Sequence, residues 1–273
     1  DRYGSDRFGT ILGHETAGPL ALMTRDQLHP PLVDSDEIWS NGDRWYEGAV
    51  AHTLLAAELC SINDGMTVLD VGAGLGGPAR TLVDEFEVEV IAMNVVEPQQ
   101  RALARACEED AKWSTIHPVL ADARLPWPIR RVDRVWSMNM LYHLPDHRHF
   151  VSEARDVLRP GGQLLVDDWV YTDRTGQAAR DTMAFHFGSN NLASVREMFG
   201  LLRQGGFRVI DMRDLGVVAR TTMATHFRPT FDRDFAPQFA QLDSEWGAAT
   251  ADDFASAIDA TIDLYRREEL SYV

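Results

Sequence analysis

A chain of 273 residues with 45% hydrophobic content is long enough for one large α/β domain with insertions and a substantial core. Its 42 acidic against 26 basic residues, a formal charge of −16, and the lack of any basic stripe argue against nucleic-acid binding and leave a neutral or cationic small molecule as the favoured partner. No run approaches the ~20 uninterrupted apolar residues of a membrane span and no signal-peptide pattern opens the chain, so no membrane partner and a cytoplasmic location are expected.

In chain order, residues 1–47 read as an N-terminal arm with a helix-like run from Phe8 to Leu28, broken at His29, Pro30 and Pro31. Its apolar part, Phe8 to Met23, could form part of a lid or pack on a neighbouring subunit, which would make a homo-oligomer. The chain opens on Asp1 and closes on Ser271 to Val273, which read as the start of a last strand; both ends are expected to be trimmed. A helix that precedes the first strand is expected over GAVAHTLLAAELC, with Val50, Leu54, Leu55 and Leu59 on one helical face.

Val68 to Arg80, VLDVGAGLGGPAR, then reads as strand, tight glycine turn and helix. Glycines at such a turn permit positive φ and let a ligand lie against the main chain where a Cβ would clash. Gly72, Gly74 and Gly77 also satisfy the dinucleotide pattern G-x-G-x-x-G. Asp70, two residues before the first glycine, suits a cationic ligand and would repel a pyrophosphate. The stretch resembles motif I of the class I S-adenosylmethionine-dependent methyltransferases.

Later segments resemble that family in order. The second strand, Val88 to Asn94, ends where the family grips the ribose hydroxyls, often with Asp or Glu; here that implies Asn94, with Glu97 as the alternative. A third strand, HPVLADA, ends at Asp122 and Ala123, which the resemblance places beside the adenine ring. A fourth leads from Val135 and Trp136 into Ser137, Met138 and Asn139 and then His143, Pro145 and Asp146, the family's H-x-P-D place. Asn139 is accordingly assigned to the cofactor. LRPGGQLLVDDW, Leu158 to Trp169, matches the R-P-G-G turn and fifth strand.

Beyond it, SVREMFGLLRQGG has Ser194 and Glu197 in capping-box spacing, and Phe207 to Leu215 is expected as another strand. The expected fold is therefore Rossmann-like α/β: a seven-stranded, mainly parallel sheet with helices on both faces and a helical lid. Residues 48–215 would form the cofactor-binding core and residues 216–273 the lid and the last strand. The lid carries His226, Phe227, Phe231, Phe235, Phe239 and Trp246, and a helix whose Phe254, Ile258, Ile262 and Tyr265 make an apolar stripe.

The resemblance implies methyl transfer from S-adenosylmethionine to a small acceptor. His143 is the candidate general base, since it follows the fourth strand and an imidazole is the side chain suited to proton transfer near neutral pH. Tyr142, Trp169, Phe185, His186 and His226 are the candidate substrate pocket, with Asp168 a weaker candidate for the chemistry. The motif set resembles the branch holding sterol, tocopherol and terpenoid C-methyltransferases together with O- and N-methyltransferases, and the aromatic lid favours a hydrophobic, prenylated acceptor and carbon methylation. Two alternatives are a protein that binds the cofactor without transferring methyl, as a cyclase or sensor, and an NAD-dependent oxidoreductase. No metal is expected: Cys60 and Cys107 read as small core residues, and Pro145 interrupts the helical spacing of His143 and His147.

Overall fold

The computed structural model describes residues 49–188, 191–237 and 250–273. The N-terminal arm, Phe239 and Trp246 lie outside the described residues. From α1 (Ala49–Leu59) the chain runs through β1 (Thr67–Val71), α2 (Gly77–Glu85), β2 (Glu89–Asn94), α3 (Glu97–Glu109), β3 (Ile116–Leu120), β4 (Val132–Met138), α4 (His147–Val157) and β5 (Leu158–Asp167). It continues through β6 (Trp169–Tyr171), α5 (Gln177–Phe187), α6 (Val195–Gln204), α7 (Gly216–Thr222), α8 (Thr250–Arg266) and β7 (Leu270–Tyr272). Helical turns, some of π type, carry the chain from α7 to Phe235.

Strands β1 to β5 form one parallel sheet in the order β3-β2-β1-β4-β5. Because side chains alternate across a strand, each strand feeds two cores. Val68, Val90, Ala92, Trp136 and Met138 face a core shared with Ala56, Ala57, Leu82 and Leu103 from α1, α2 and α3. Leu69, Val71, Met93 and Val135 face a second core with Phe150, Val151 and Ala154 of α4. The expected α/β architecture is present, with helices on both faces of a parallel sheet.

The strand expectation needs correction. The central sheet has five strands among the described residues, and β6 and β7 pair antiparallel in a separate two-stranded sheet. Phe207 to Leu215 belongs to no ladder, despite its alternating pattern. A groove of about 780 Å³ runs between that stretch and the outer edge of β5, so the backbone there forms no ladder with β5, although Leu215 N at its end donates to Tyr272 O of β7 at 2.7 Å. Ile210 is accordingly 65% exposed.

Helix α1 turns small residues, more than its leucines, to the sheet. Its buried face is His52, Thr53, Ala56, Ala57 and Cys60, whereas Leu55 is 39% exposed and, with Leu59, lines the groove. Small residues let the helix sit close to the sheet, and the larger leucines are turned aside. Arg134 on β4 locks the helix end: its Nε donates to Cys60 O at 2.5 Å and its Nη2 to Ser61 O at 2.7 Å.

Other local signals are realised. Ser194 Oγ accepts from Glu197 N while Glu197 Oε2 accepts from Ser194 N, the reciprocal box that starts α6. Phe254, Ile258, Ile262 and Tyr265 of α8 are all buried. Phe231, expected among the lid aromatics, is also a core residue; it is 1% exposed and stacks on Phe254 with ring centroids 4.9 Å apart. Replacing it by alanine leaves a cavity between the segment after α7 and α8. Phe231→Ala is expected to cost about 3–5 kcal/mol, read as a lower midpoint in urea unfolding.

Candidate functional site

Strand order reverses between β1 and β4: β2 continues outward from one side of β1, and β4 and β5 from the other. The loops leaving β1 and β4 therefore diverge and open a crevice at the carboxyl ends of the two strands, where ligands of open α/β sheets bind. Both loops carry residues picked out in the sequence.

Asp70 stands near the end of β1, Gly72 and Gly74 lie in the loop that follows, and Gly77 is the first residue of α2. Gly72 N and Ala73 N donate to Met93 O at 2.8 and 3.1 Å, tying the turn to the end of β2. Gly72 has φ +87°, and a Cβ there would overlap Met140 on the opposite side of the crevice. Gly74 has φ +56° with nothing near its would-be Cβ, so this part of the turn is open to a ligand. Gly76, φ +80°, starts α2, whose first turn takes Pro78. Asp70 is 2% exposed, and its Oδ2 has no hydrogen-bond partner among the described residues. Burial without a compensating cation pushes its carboxyl up to about 7.

Asn94, at the end of β2, is buried, and its Nδ2 donates to Gln99 Oε1 at 2.7 Å. Gln99, on the first turn of α3, was not singled out in the sequence; it stands where it fixes which way the Asn94 amide faces. Glu97 is mostly exposed and paired with Arg101 one turn along α3, away from Asn94's buried position. Past β3, Asp122 takes Arg124 through the backbone N at 2.9 Å and the guanidinium Nη2 at 2.6 Å. Burial raises the Asp122 carboxyl, but the bonds and charge of Arg124 outweigh it and hold the group below the usual carboxylate range. Ala123, next to it, is half-buried.

On the other wall, β4 ends at Met138 and Asn139 turns the chain with φ +49°. Leu141–His143 form a single 3-10 turn. Asp146, of the H-x-P-D place, caps α4 by accepting from Arg148 N at 2.9 Å and His149 N at 3.2 Å. His147 Nε2 donates to Leu141 O at 2.9 Å. The ring of His143 lies 3.9 Å from that of Tyr142, whose other neighbour is Trp169 at 5.1 Å. Phe187 meets Trp169 edge-on at 4.9 Å. His143, Tyr142, Trp169 and Phe187 thus make a continuous aromatic run from the β4 loop through β6 to α5.

Of the remaining pocket candidates, Phe185 is 56% exposed and His186 half-buried, their rings 4.9 Å apart. Phe187, two residues on, supplies the aromatic contact with Trp169; helical rotation separates it from Phe185 by about 200°, a difference that the MAFHF composition alone does not reveal. The side chain of His226 lies outside the described residues. Among the described residues no three His, Cys, Asp or Glu side chains stand close enough to hold a metal ion. No described helix is long and apolar enough to cross a membrane.

Comparison with known proteins bears on this crevice. Residues 69–166, which contain both loops, match the family described as a methyltransferase domain. The chain is 28% identical over 184 residues to sterol 24-C-methyltransferase erg6 of Aspergillus fumigatus, covering 65% of this chain and 49% of that one. It is 37% identical over 116 residues to 2-methyl-6-phytyl-1,4-hydroquinone methyltransferase of Synechocystis, covering 42% of this chain and 36% of the other. The chain spans about half the length of the curated relatives it matches. Among solved structures, the cyclopropane synthase MmaA2 of Mycobacterium tuberculosis shares the fold, with a TM-score of 0.73 at 17% identity over 99% of this chain and 93% of that one.

The raised Asp70 carboxyl makes a pH prediction. A cation placed beside it favours the carboxylate, so the group's pKa falls on binding and the free protein must release a proton below about pH 7. Affinity for a cationic ligand such as S-adenosylmethionine is therefore expected to be flat above about pH 7 and to fall by up to about tenfold per unit below it. Calorimetry across pH checks this, with Asp70→Asn as the control that abolishes the slope.

Proposed function

We propose, from the premise that the chain belongs to the class I S-adenosylmethionine-dependent methyltransferase superfamily, that it methylates a small hydrophobic acceptor, with carbon favoured over oxygen or nitrogen as the receiving atom. The observation that carries this reading is the aromatic run of Tyr142, Trp169 and Phe187 beside the β4 loop, across the crevice from a buried carboxylate and an open glycine turn. Two of the relatives are named for work on isoprenoid-type molecules, one a sterol and one a phytylated hydroquinone.

The residues present fit the cofactor. Asp70 offers a buried carboxylate oxygen with no protein partner among the described residues, which a cationic group would satisfy. The open space at Gly74 admits a ligand against the main chain. Asn94, oriented by Gln99, would meet the ribose hydroxyls; Asp122 and Ala123 would flank the adenine, with Asp122 shared with Arg124. Asn139 and Gly72 would close the methionine end. A pyrophosphate would instead meet Asp70 at the glycine turn, which weighs against NAD.

When bound, S-adenosylmethionine supplies a methyl group on a sulfonium, open to in-line displacement. The protein's part is to hold the acceptor in line and to exclude water. The faces of Tyr142 and Trp169 hold an apolar acceptor and stabilise the positive charge that develops when an alkene carbon is methylated. His143, its ring tilted against that of Tyr142 at the same wall, takes the proton that the acceptor gives up. The same arrangement serves a phenol oxygen, where the proton leaves earlier. The helical segment after Gly216 is proposed as the lid that covers the acceptor.

Calorimetric titration with S-adenosylmethionine, S-adenosylhomocysteine and NAD tests the cofactor reading: micromolar binding of the first two and none of NAD is expected. Incubation with methyl-labelled cofactor and a panel of sterols, prenylated hydroquinones and phenols then tests transfer. Binding without label in any acceptor would favour the cyclase or sensor reading. His143→Ala is expected to keep cofactor affinity and lower turnover by about 10²- to 10⁴-fold, the scale of a lost general base. Unchanged turnover would remove His143 from the mechanism. Gly74→Ala, by contrast, is expected to leave the fold in place and weaken the cofactor at least about tenfold, since a Cβ there fills the ligand's space.

A further inference from the structure

We infer that Asp168 is the positioning residue of this site: its carboxylate caps the loop after β4 and sets where Asn139 and His143 stand in the crevice. The part of this inference that concerns Asn139 and His143 rests on the functional reading above.

The argument begins where β4 and β5 part. Their ladder runs through the pair Met138 and Asp167, and Asn139 N still donates to Asp167 O at 2.8 Å. Asn139 then turns with φ +49°, and the next amides leave the sheet with no strand to receive them. The 3-10 turn that follows begins with backbone N–H groups that no preceding residue of the turn can satisfy. Met140, at its start, has no side-chain acceptor to supply a local cap.

Asp168 supplies the acceptor from 27 and 28 residues away. Its Oδ2 takes Met140 N at 3.0 Å and Leu141 N at 2.7 Å. The N–H of Tyr142 adds to the same carboxyl. Asp168 is 3% exposed, so no water replaces these bonds. Its own Oδ1 accepts from Trp169 N at 2.7 Å, and its backbone exchanges bonds with Val273 at 2.9 and 3.1 Å. The group that holds the turn is thus itself fixed from two sides.

The neighbouring acid does a different job. Asp167 Oδ2 meets His52 Nε2 of α1 at 2.5 Å, on the opposite side of the strand. Burial and the charge of Asp167 push the Asp168 carboxyl up to about 7, against the pull of the backbone N–H groups. A buried acid kept at that cost, and holding the amides that lead into a proposed base, is explained by the geometry it imposes on Leu141–His143.

The test compares Asp168→Ala, which removes both acceptors, with Asp168→Asn, whose single amide oxygen can still accept from Met140 N and Leu141 N while the bond from Trp169 N is given up. Amide hydrogen exchange at Met140 to Tyr142 and S-adenosylhomocysteine affinity by calorimetry are the readouts. Asp168→Ala is expected to lose at least about tenfold protection at those amides and about tenfold in affinity, while Asp168→Asn stays within about threefold of wild type in both. Asp110→Ala, which removes the cap of the short turn before β3 at the amino end of the sheet, calibrates a general loss of stability and is expected to leave the three amides unchanged relative to their neighbours.

Wild-type protection at those amides in Asp168→Ala would overturn the inference, and so would equal losses in the Ala and Asn variants. If Asp168→Ala does not fold, Asp168→Asn decides: protection and affinity kept support the cap, and protection lost overturns it. Failure of the wild-type chain to bind S-adenosylhomocysteine would count against the proposed function alone, because the exchange measurement judges the cap in the free protein.

Discussion

A parallel sheet that reverses its order between β1 and β4 opens a crevice at the carboxyl ends of those strands, and the rest of this structure is arranged around it. The strands deliver Asp70 and Asn139 to opposite walls with little freedom, since both cores pack directly beneath them. What the strands cannot supply is satisfaction for the backbone groups that emerge where the ladders end. The two loops solve that in different ways. After β1, Gly72 and Ala73 lean back on Met93 O of the neighbouring strand. After β4, the amides are collected by a side chain from β5's end.

Gly72 shows how closely the two walls are coupled. A Cβ at this position would strike Met140, the residue whose N–H Asp168 holds. The glycine is therefore needed by the opposite loop, whereas at Gly74 only the positive φ calls for glycine and the space beside it is open. The motif G-A-G-L-G-G thus combines a packing requirement, an open turn and, at Gly76, a helix start.

This mixture explains what could be read from the residues and what could not. The strands, the capping box at Ser194 and the glycine turn were legible because each depends on neighbours in sequence. The buried face of α1 was not: leucine spacing groups Leu54, Leu55 and Leu59 on one face, yet close approach to the sheet favoured Ala56 and Ala57. Phe207 to Leu215 has an alternating pattern, but a strand needs a ladder, and pairing is a property of distant residues. The same limit hid Gln99, whose value lies in its bond to Asn94, and the choice between Phe185 and Phe187, which turns on which way α5 faces. Asp168 could be noticed as an acid near the fifth strand's end; that it caps a turn 27 residues earlier depends on the sheet.

Three buried carboxylates gather at the ends of β1 and β5, and their surroundings separate their roles. Asp167 has a histidine from α1, so its charge is answered within the protein and ties the first helix to the sheet. Asp168 has backbone N–H groups, which stabilise a carboxylate and gain a fixed loop in return. Asp70 Oδ2 and Asp167 Oδ1 both lack a partner among the described residues, but Asp167's other oxygen meets His52, whereas no cation answers Asp70 and a glycine turn beside it leaves space. Burying an unanswered carboxylate costs stability that nothing in the free protein returns. A cationic ligand returns it, and for that reason the vacancy in Asp70's bonding, more than the glycine pattern it precedes, separates a sulfonium cofactor from a pyrophosphate one.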